Sequence, residues 1–167
     1  MKNIWQENLE NLLTSLSQND SPRTAIVGIG NEIRSDDAVG VYIVRSIRNY
    51  ISESEKVLLV EAGPSPESFT GMIKAHAPQV IIFIDAAEMG EKPGTVRLLT
   101  MQEIDGFSAS THTLPLSIIG KYLALEIGCP ILTIAIQPET LEFDEPISAS
   151  IQSLIEPLAK EIASFLV

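Results

Sequence analysis

Residues 24–40, TAIVGIGNEIRSDDAVG, join an apolar run to a glycine-containing loop and to the start of a helical pattern. The apolar run stops at Gly28, two adjacent carboxylates follow at Asp36 and Asp37, and apolar residues at helical spacing resume after them. This order predicts a strand, a loop and a helix. Because open α/β sheets place functional groups in the loops at the carboxyl ends of strands, we expect this loop to hold part of a functional site.

The rest of the chain repeats this alternation of strand and helix. Continuous apolar runs predict strands buried on both faces, and apolar residues at helical spacing predict helices that pack on them. The predicted helices are 4–16, 39–51, 66–75, 114–125 and 147–166, and the predicted strands are 24–29, 56–61, 79–86, 95–99 and 131–136. Residues 95–99 alternate in the manner of an edge strand, which can run antiparallel. We therefore predict a single α/β domain over residues 1–167, a three-layer sandwich with a mainly parallel, twisted, five-stranded sheet flanked by helices.

Composition and charge argue against several classes of function. The chain has 167 residues, 45% of them apolar, which suffices for one hydrophobic core. Its net charge of −11 argues against nucleic-acid phosphates and anionic membrane surfaces as partners. The apolar runs are shorter than the roughly 20 residues that span a bilayer, the first residues lack a secretory signal, and the single cysteine, Cys129, cannot form an internal disulfide. We expect a cytoplasmic protein without membrane insertion or nucleic-acid binding.

Two carboxylates and one imidazole are expected to meet at the carboxyl edge of the sheet. Asp37 lies in the loop after the first strand, and Asp85 marks the end of the third. His112 lies in the polar loop 106–112, which leads to the next helix. If the first and third strands are neighbours where the strand order reverses, the carboxylates face one crevice that the imidazole can reach. Such a set suits nickel, zinc or a similar divalent ion and leaves coordination positions open for a substrate.

The sequence does not contain the common motifs for nucleotide binding or nucleophilic catalysis. A dinucleotide-binding fingerprint needs a glycine where the chain has Ile33, and a phosphate-binding loop of the Walker type needs Ser or Thr where it has Tyr122. No Gly-x-Ser-x-Gly nucleophile motif occurs. Cys129 precedes the last strand and therefore belongs at the opposite edge of the sheet from His112. Neither nucleotide binding by these loops nor nucleophilic catalysis is predicted.

Four groups of residues occur in a fixed order along the chain. They are Gly28-x-Gly30-Asn31 with Asp36-Asp37 and Gly40, Asp85-Ala86 with Gly90 and Pro93-Gly94-Thr95-Val96, Thr111-His112-x-x-Pro115-Leu116, and Ile136-Gln137-Pro138-Glu139. Together they resemble the hydrogenase maturation endopeptidases, most closely the branch that processes energy-converting and formate-hydrogenlyase-type nickel–iron hydrogenases. The resemblance covers about residues 24–160 and leaves the N-terminal helix, within residues 1–20, outside it. One departure is Ala38, where many relatives carry glycine.

The resemblance implies a nickel-dependent, aspartyl-type endopeptidase that removes the C-terminal extension of a hydrogenase large-subunit precursor. It implies that Asp37, Asp85 and His112 are both the catalytic and the metal-contacting residues. The residues implied to bind the substrate are Gly28, Gly30, Asn31 and Gln137. The nickel ion would arrive with the precursor, so we expect the free protein to hold little metal.

Two accounts of the chemistry and two other functions stay open on the sequence alone. Hydrolysis can follow from metal polarisation of the scissile carbonyl or activation of water, or from a carboxylate acting as general base. The main alternative function is a non-catalytic protein that handles nickel or binds the precursor. The other is a small-molecule hydrolase on a flavodoxin-like sheet.

Several polar residues near these motifs are predicted to be structural. Asp36 is assigned to the N-terminus of helix 39–51, where an acid stabilises the helix dipole by about 0.3–1 kcal/mol. His76 follows the third predicted helix and can bond its last carbonyls. Glu32 and Glu61 could hold the site residues in position, but they are assigned as solvated loop acids.

Overall fold

A computed structural model describes residues 1–107 and 114–167 and shows a five-stranded sheet with helices on both faces. Its strands are β1 (Thr24–Ile29), β2 (Val57–Gly63), β3 (Val80–Ala86), β4 (Val96–Thr100) and β5 (Ile131–Ile136). Its helices are α1 (Ile4–Leu16), α2 (Val39–Ile47), α3 (Thr70–His76), α4 (Met101–Ile104), α5 (Leu116–Ile127) and α6 (Ala149–Phe165). Short 3-10 turns at Ser35–Ala38 and Pro66–Phe69 precede α2 and α3. Among the residues described, no helix has the length and apolar character needed to cross a membrane.

The sheet has the strand order β2-β1-β3-β5-β4. β1, β2, β3 and β5 run parallel, and β4 pairs antiparallel with β5 at one edge. The predicted mainly parallel sheet with an antiparallel edge strand is therefore confirmed. The strand order reverses between β1 and β3, which pair directly from Thr24↔Val80 to Gly28↔Ile84. The carboxyl ends of these two strands frame a crevice at the switch point.

The two faces of the sheet carry separate hydrophobic cores. Successive β1 side chains alternate between them: Ile26 packs with α1, α2 and α6, whereas Ala25 and Val27 pack with α3, α4 and α5. Every residue of β1 and of β3 is buried. Burial on both faces explains why these strands appear in the sequence as continuous apolar runs.

Element boundaries differ from the predicted ones in several places. α2 ends at Ile47 instead of residue 51, and the amides of residues 49–51 bond to the carbonyls of Ser46 and Ile47 in a turn. The predicted helix 66–75 is a 3-10 turn followed by α3, and α6 begins at Ala149 instead of residue 147. The helix α4 was not expected, because its four residues are too few to show a helical repeat.

Candidate active site

Glycines let the loop after β1 and the start of α2 lie directly against the strand ends. A Cβ atom at Gly40 would lie 2.0 Å from the carbonyl oxygen of Ile84, and one at Gly28 would lie 2.3 Å from the carbonyl oxygen of Gly40. Gly30 has a φ of 139°, and a Cβ there would lie 1.7 Å from the carbonyl oxygen of Asp37. Approaches this close leave no room for a side chain. Gly28 and Gly30 therefore have a packing role, and their predicted contact with substrate stays a prediction.

This packing brings Asp37 to the edge of β3. Asp37 lies three residues before Gly40, in the 3-10 turn Ser35–Ala38, and that turn contacts β3. Asp85 follows Ile84 near the carboxyl end of β3 and is 4% exposed. The structure thus places the two carboxylates at the same edge of the sheet, beside the switch point between β1 and β3.

The Asp37 carboxylate is buried and only partly bonded. It is 1% exposed, and its Oδ2 accepts a hydrogen bond of 2.9 Å from the backbone N–H of Asn31. The side-chain oxygen of Asn31 accepts from the N–H of Ile33 at 3.1 Å, so Asn31 shapes the loop, and its predicted contact with substrate stays a prediction. Asp37 Oδ1 accepts no hydrogen bond from any described residue. A buried carboxylate oxygen without a donor is costly, which makes Oδ1 a candidate position for a ligand.

The third residue of the predicted set, His112, lies outside the described residues. The described chain stops at Phe107 and resumes at Leu114. Within residues 1–107 and 114–167, no three His, Cys, Asp or Glu side chains are grouped so that they could hold a metal ion. Asp37 and Asp85 contribute two carboxylates to the edge, and the full set with His112 stays a prediction.

Asp36 bonds to a different helix from the one assigned to it. Its fully buried carboxylate accepts hydrogen bonds from the N–H groups of Glu139 at 2.8 Å, Thr140 at 3.1 Å and Ser148 at 2.8 Å. The hydroxyl of Ser148, the N-cap of α6, donates to the same carboxylate. Asp36 therefore fastens the start of α6 to the turn that carries Asp37. Sequence analysis missed this role because the partners lie more than 100 residues away in the chain.

Gln137 follows β5 and holds the loop after β3. Its Oε1 accepts from the N–H groups of Met89 at 2.7 Å and Glu91 at 3.2 Å, and its Nε2 donates to Glu88 at 2.7 Å. The residue is only 3% exposed. Its side chain therefore positions the loop, a role that the sequence did not suggest, and the predicted direct contact with substrate stays a prediction.

Ion pairs join the ends of β1 and β2 to α2. Arg45 contacts Glu61 at 2.8 Å and Glu32 at 3.0 Å, and Arg48 contacts Glu61 at 2.7 Å. The hydrogen bond to Glu61 raises the pKa of Arg45 above its ordinary value. Glu32 is an exposed loop acid, as predicted, and it also pairs with Arg45, whereas Glu61 lies within β2 and not in a loop. Because the pairs are half-exposed, each contributes only about 0–1 kcal/mol to stability.

The sequence matches a known protein family over most of its length. A family model for the HycI hydrogenase maturation proteases aligns with residues 41–165. The chain belongs to the hydrogenase maturation protease family. The predicted family and the predicted enzyme class, a peptide-bond hydrolase, are thereby confirmed.

Individual family members align over most of the chain. A Methanocaldococcus jannaschii protein assigned to the hydrogenase maturation proteases is 40% identical over 136 residues, which are 78% of this chain and 80% of that protein. The Hydrogenase 3 maturation protease of Escherichia coli K12 is 24% identical, with 80% and 85% covered. The crystal structure of HycI, the maturation protease of Thermococcus kodakarensis, superposes with a TM-score of 0.82 at 33% identity and covers 93% of this chain and 98% of that one. The predicted three-layer fold is the fold of this family.

Proposed function

We propose that this protein is an endopeptidase that removes the C-terminal extension of a nickel–iron hydrogenase large-subunit precursor. Membership of the family supports this reaction, because its relatives are named for the maturation of hydrogenases. The observation that carries the proposal is the buried Asp37 carboxylate, whose Oδ1 has no donor among the described residues and lies at the same edge as Asp85. In a peptidase that uses a carboxylate, such an oxygen can take a proton from water or contact a metal ion.

Nickel enters this proposal as part of the substrate. Carboxylate and imidazole ligands suit a borderline divalent ion, and Asp37, Asp85 and His112 would supply two carboxylates and one imidazole. The buried Oδ1 of Asp37 fits such a contact, because a cation would replace the hydrogen bond that this atom lacks within the described chain. We propose that the precursor brings the ion and that the free protein holds little metal.

The chain's own residues would orient the reactants and move one proton. The N–H of Asn31 fixes Asp37 through Oδ2, which leaves Oδ1 for the substrate or for water. Hydrolysis adds water to the scissile carbonyl and breaks the C–N bond, and the proton taken from water ends on the new amine. Asp37 Oδ1 can accept that proton and return it. The nickel ion in the precursor would polarise the carbonyl.

Intact-mass spectrometry of a nickel-loaded large-subunit precursor tests the proposal. The precursor is incubated with wild-type protein, with Asp37→Asn, and with Asp105→Asn, a control that changes an exposed carboxylate. A parallel set uses nickel-free precursor. We expect the mass of one C-terminal peptide to be lost only with nickel, and only with the wild-type and Asp105→Asn proteins.

Two results would replace this proposal with another function. If a precursor that binds the wild-type protein is never cleaved, the protein is a non-catalytic accessory that binds the precursor. If nickel-free precursor is cleaved as fast as the loaded form, the protein is an endopeptidase whose reaction does not depend on nickel. Metal analysis of the purified free protein gives a third test, since a stoichiometric, tightly bound nickel ion would contradict delivery by the substrate.

A further inference from the structure

β4 is an edge strand with backbone groups that face outward. Within residues 1–107 and 114–167 it pairs only with β5. The N–H of Gln137 donates to the carbonyl of Thr95 at 2.9 Å, and hydrogen-bonded positions alternate along an antiparallel pair. Arg97 therefore bonds toward β5, whereas the N–H and C=O groups of Val96 and Leu98 point to the open side. An open strand edge of this kind is a template for a further strand.

A cavity of about 870 Å³ runs along this open edge. Val96 and Leu98 line one side, Trp5 of α1 lines a second, and Leu158 and Glu161 of α6 line a third. The side chains of Val96 and Leu98 pack on the core that α1 and α6 share, so this part of the cavity has an apolar wall. A cavity of this kind can bind an extended peptide that pairs with β4 through its backbone and places alternate side chains on the apolar wall.

The cavity begins at the same edge of the sheet as the candidate active site. Gly94 and Thr95 line the end of the cavity that lies at this edge, just before β4 begins. The N–H of Gly94 donates to the carbonyl of Gln137 at 2.9 Å. Val96 pairs with Ile136, which pairs in turn with Ala86, the residue after Asp85. β4 and β3 are two strand spacings apart, roughly 10 Å. About three extended residues would cover that distance.

The charge of the cavity favours a cationic occupant. Among the described residues that line it, the ionisable side chains are three carboxylates, Glu91, Glu103 and Glu161, and one guanidinium, Arg97, which lies 5.6 Å from the ring of Phe107. Glu161 accepts a hydrogen bond from the neutral side-chain amide of Gln6 and forms no ion pair with any described residue. Burial raises the pKa of the Glu161 carboxyl above its ordinary value, and the charge of Lys2 offsets only part of this rise. A lysine or arginine placed near Glu161 would compensate this carboxylate for the solvation that it has lost on burial.

We propose that the open edge of β4 binds the C-terminal part of the precursor as an added β-strand, with a basic side chain of that segment near Glu161. The inference rests on the proposed function, because it identifies the precursor's tail as the occupant. It assigns substrate recognition to a surface two strands away from the carboxylates. Cleavage would then take place where the bound strand passes the carboxyl ends of β3 and β1.

Replacing Val96 tests the backbone contact. Val96→Pro removes the outward N–H at the first residue of an edge strand, a position where proline is tolerated, and Val96→Ala removes side chain but keeps the N–H. We expect Val96→Pro to raise the KM for the nickel-loaded precursor about 3- to 10-fold relative to Val96→Ala, with kcat unchanged. Glu161→Gln should raise the same KM by a factor that falls with added salt, whereas Glu55→Gln, a change of an exposed loop acid, should not.

Hydrogen exchange separates this inference from the proposed function. A synthetic peptide with the sequence of the precursor's C-terminal segment should slow exchange of the Val96 and Leu98 amides in wild-type protein, whether or not cleavage occurs. Slowed exchange without any cleavage of precursor would support the surface and overturn the function. Cleavage with equal KM for Val96→Pro and Val96→Ala, and no slowing by the peptide, would overturn the surface and leave the function standing. A free protein that is dimeric, with both amides already protected, would overturn it as well, because the edge would then pair with a second copy.

Discussion

Buried polar atoms without a hydrogen-bond partner lie at both edges of the sheet in the described chain. One such atom at the carboxyl edge is Asp37 Oδ1, and two at the amino edge are Arg23 Nε and His76 Nε2. The amino edge is tied together by other contacts of the same residues. Arg23 donates through its guanidinium to the carbonyl of His76 and through its N–H to the side chain of Gln79, and the N–H of Gln79 donates to the carbonyl of Arg23.

The unbonded atoms at the two edges have different explanations. At the amino edge, Arg23 and His76 connect the segments that lead into β1 and β3, so one unused nitrogen on each is a cost that the connection offsets. At the carboxyl edge, the neighbouring Asp36 already makes the structural connection, and Asp37 makes one hydrogen bond within the described chain. An unbonded atom therefore indicates a functional site only where a neighbouring residue makes the structural hydrogen bonds. Substitution of Asp37 should therefore change activity with little change in stability, whereas substitution of Asp36 or of His76 should change stability first.

The largest expected effect is on activity, from Asp37→Asn. The variant keeps the shape of the side chain but removes its charge and basicity, so cleavage of nickel-loaded precursor should fall by about 10²–10⁴. Among the described residues only the hydrogen bond from Asn31 is at risk, so the free energy of unfolding should change by no more than about 1 kcal/mol. Cleavage rates and urea unfolding of the same preparation measure both quantities. A loss of several kcal/mol with unchanged cleavage would make Asp37 a structural residue and remove the contrast between the edges.

The next effect is on stability, from Asp36→Ala. Three backbone N–H groups, those of Glu139, Thr140 and Ser148, would lose their acceptor together. Because each N–H group left without an acceptor costs about 1 kcal/mol or more, the free energy of unfolding should fall by about 3 kcal/mol. Urea unfolding measures this loss, with Asp37→Asn as the adjacent control. If Asp36→Ala unfolds like the wild type, the loop before α6 is held by other contacts. The assignment of a structural role to Asp36 and a functional role to Asp37 would then be wrong.

The elements around the crevice could be predicted because their signals are local. β1 and β3 are buried on both faces, and their continuous apolar runs predicted both strands, with Asp85 near the end of β3 and Asp37 in the segment that follows β1. The two glycines at 28 and 30 marked the loop, because no side chain fits there. His112 lies outside the described residues, so the predicted imidazole contact stays untested.

What could not be predicted depends on contacts between distant parts of the chain. The hydrogen bonds that the N–H of Ser148 donates to Asp36 and the N–H of Met89 donates to Gln137 join segments that are 112 and 48 residues apart. A serine before a helical pattern is a cap signal, but nothing near Ser148 indicates that a carboxylate from another loop meets it. The pairing of Arg45 with Glu61 likewise depends on how α2 packs over β2, which no local pattern specifies.

A pair of glycine substitutions tests how closely the loop of the carboxyl edge must pack. Gly40→Ala would place a methyl group 2.0 Å from the carbonyl oxygen of Ile84, whereas the methyl group of Gly71→Ala would have no atom of the described residues within 4 Å, apart from its chain neighbours and its own helix backbone. We expect Gly40→Ala to destabilise the protein by about 1–3 kcal/mol and to slow cleavage, because the turn with Asp37 must shift. Gly71→Ala lies in α3 and should stabilise by about 0.5–1 kcal/mol without changing cleavage. Unchanged cleavage by Gly40→Ala would show that the position of Asp37 does not depend on this contact.

The smallest effect concerns the amino edge and the pH dependence of stability. Burial lowers the pKa of His76 below its ordinary value of 6.5, and the nearby Arg23 lowers it further. Below about pH 6.5 the unfolded chain therefore binds more protons at this position than the folded one, so stability should fall as the pH drops. His76→Gln should lose less stability than the wild type between about pH 7.5 and pH 5.5, as measured by urea unfolding at both values. His112 is present in both proteins, so its titration cancels from the difference. Equal losses would mean that His76 is protonated as readily in the folded protein as in the unfolded chain, and a change in cleavage by folded His76→Gln would show that the two edges are coupled.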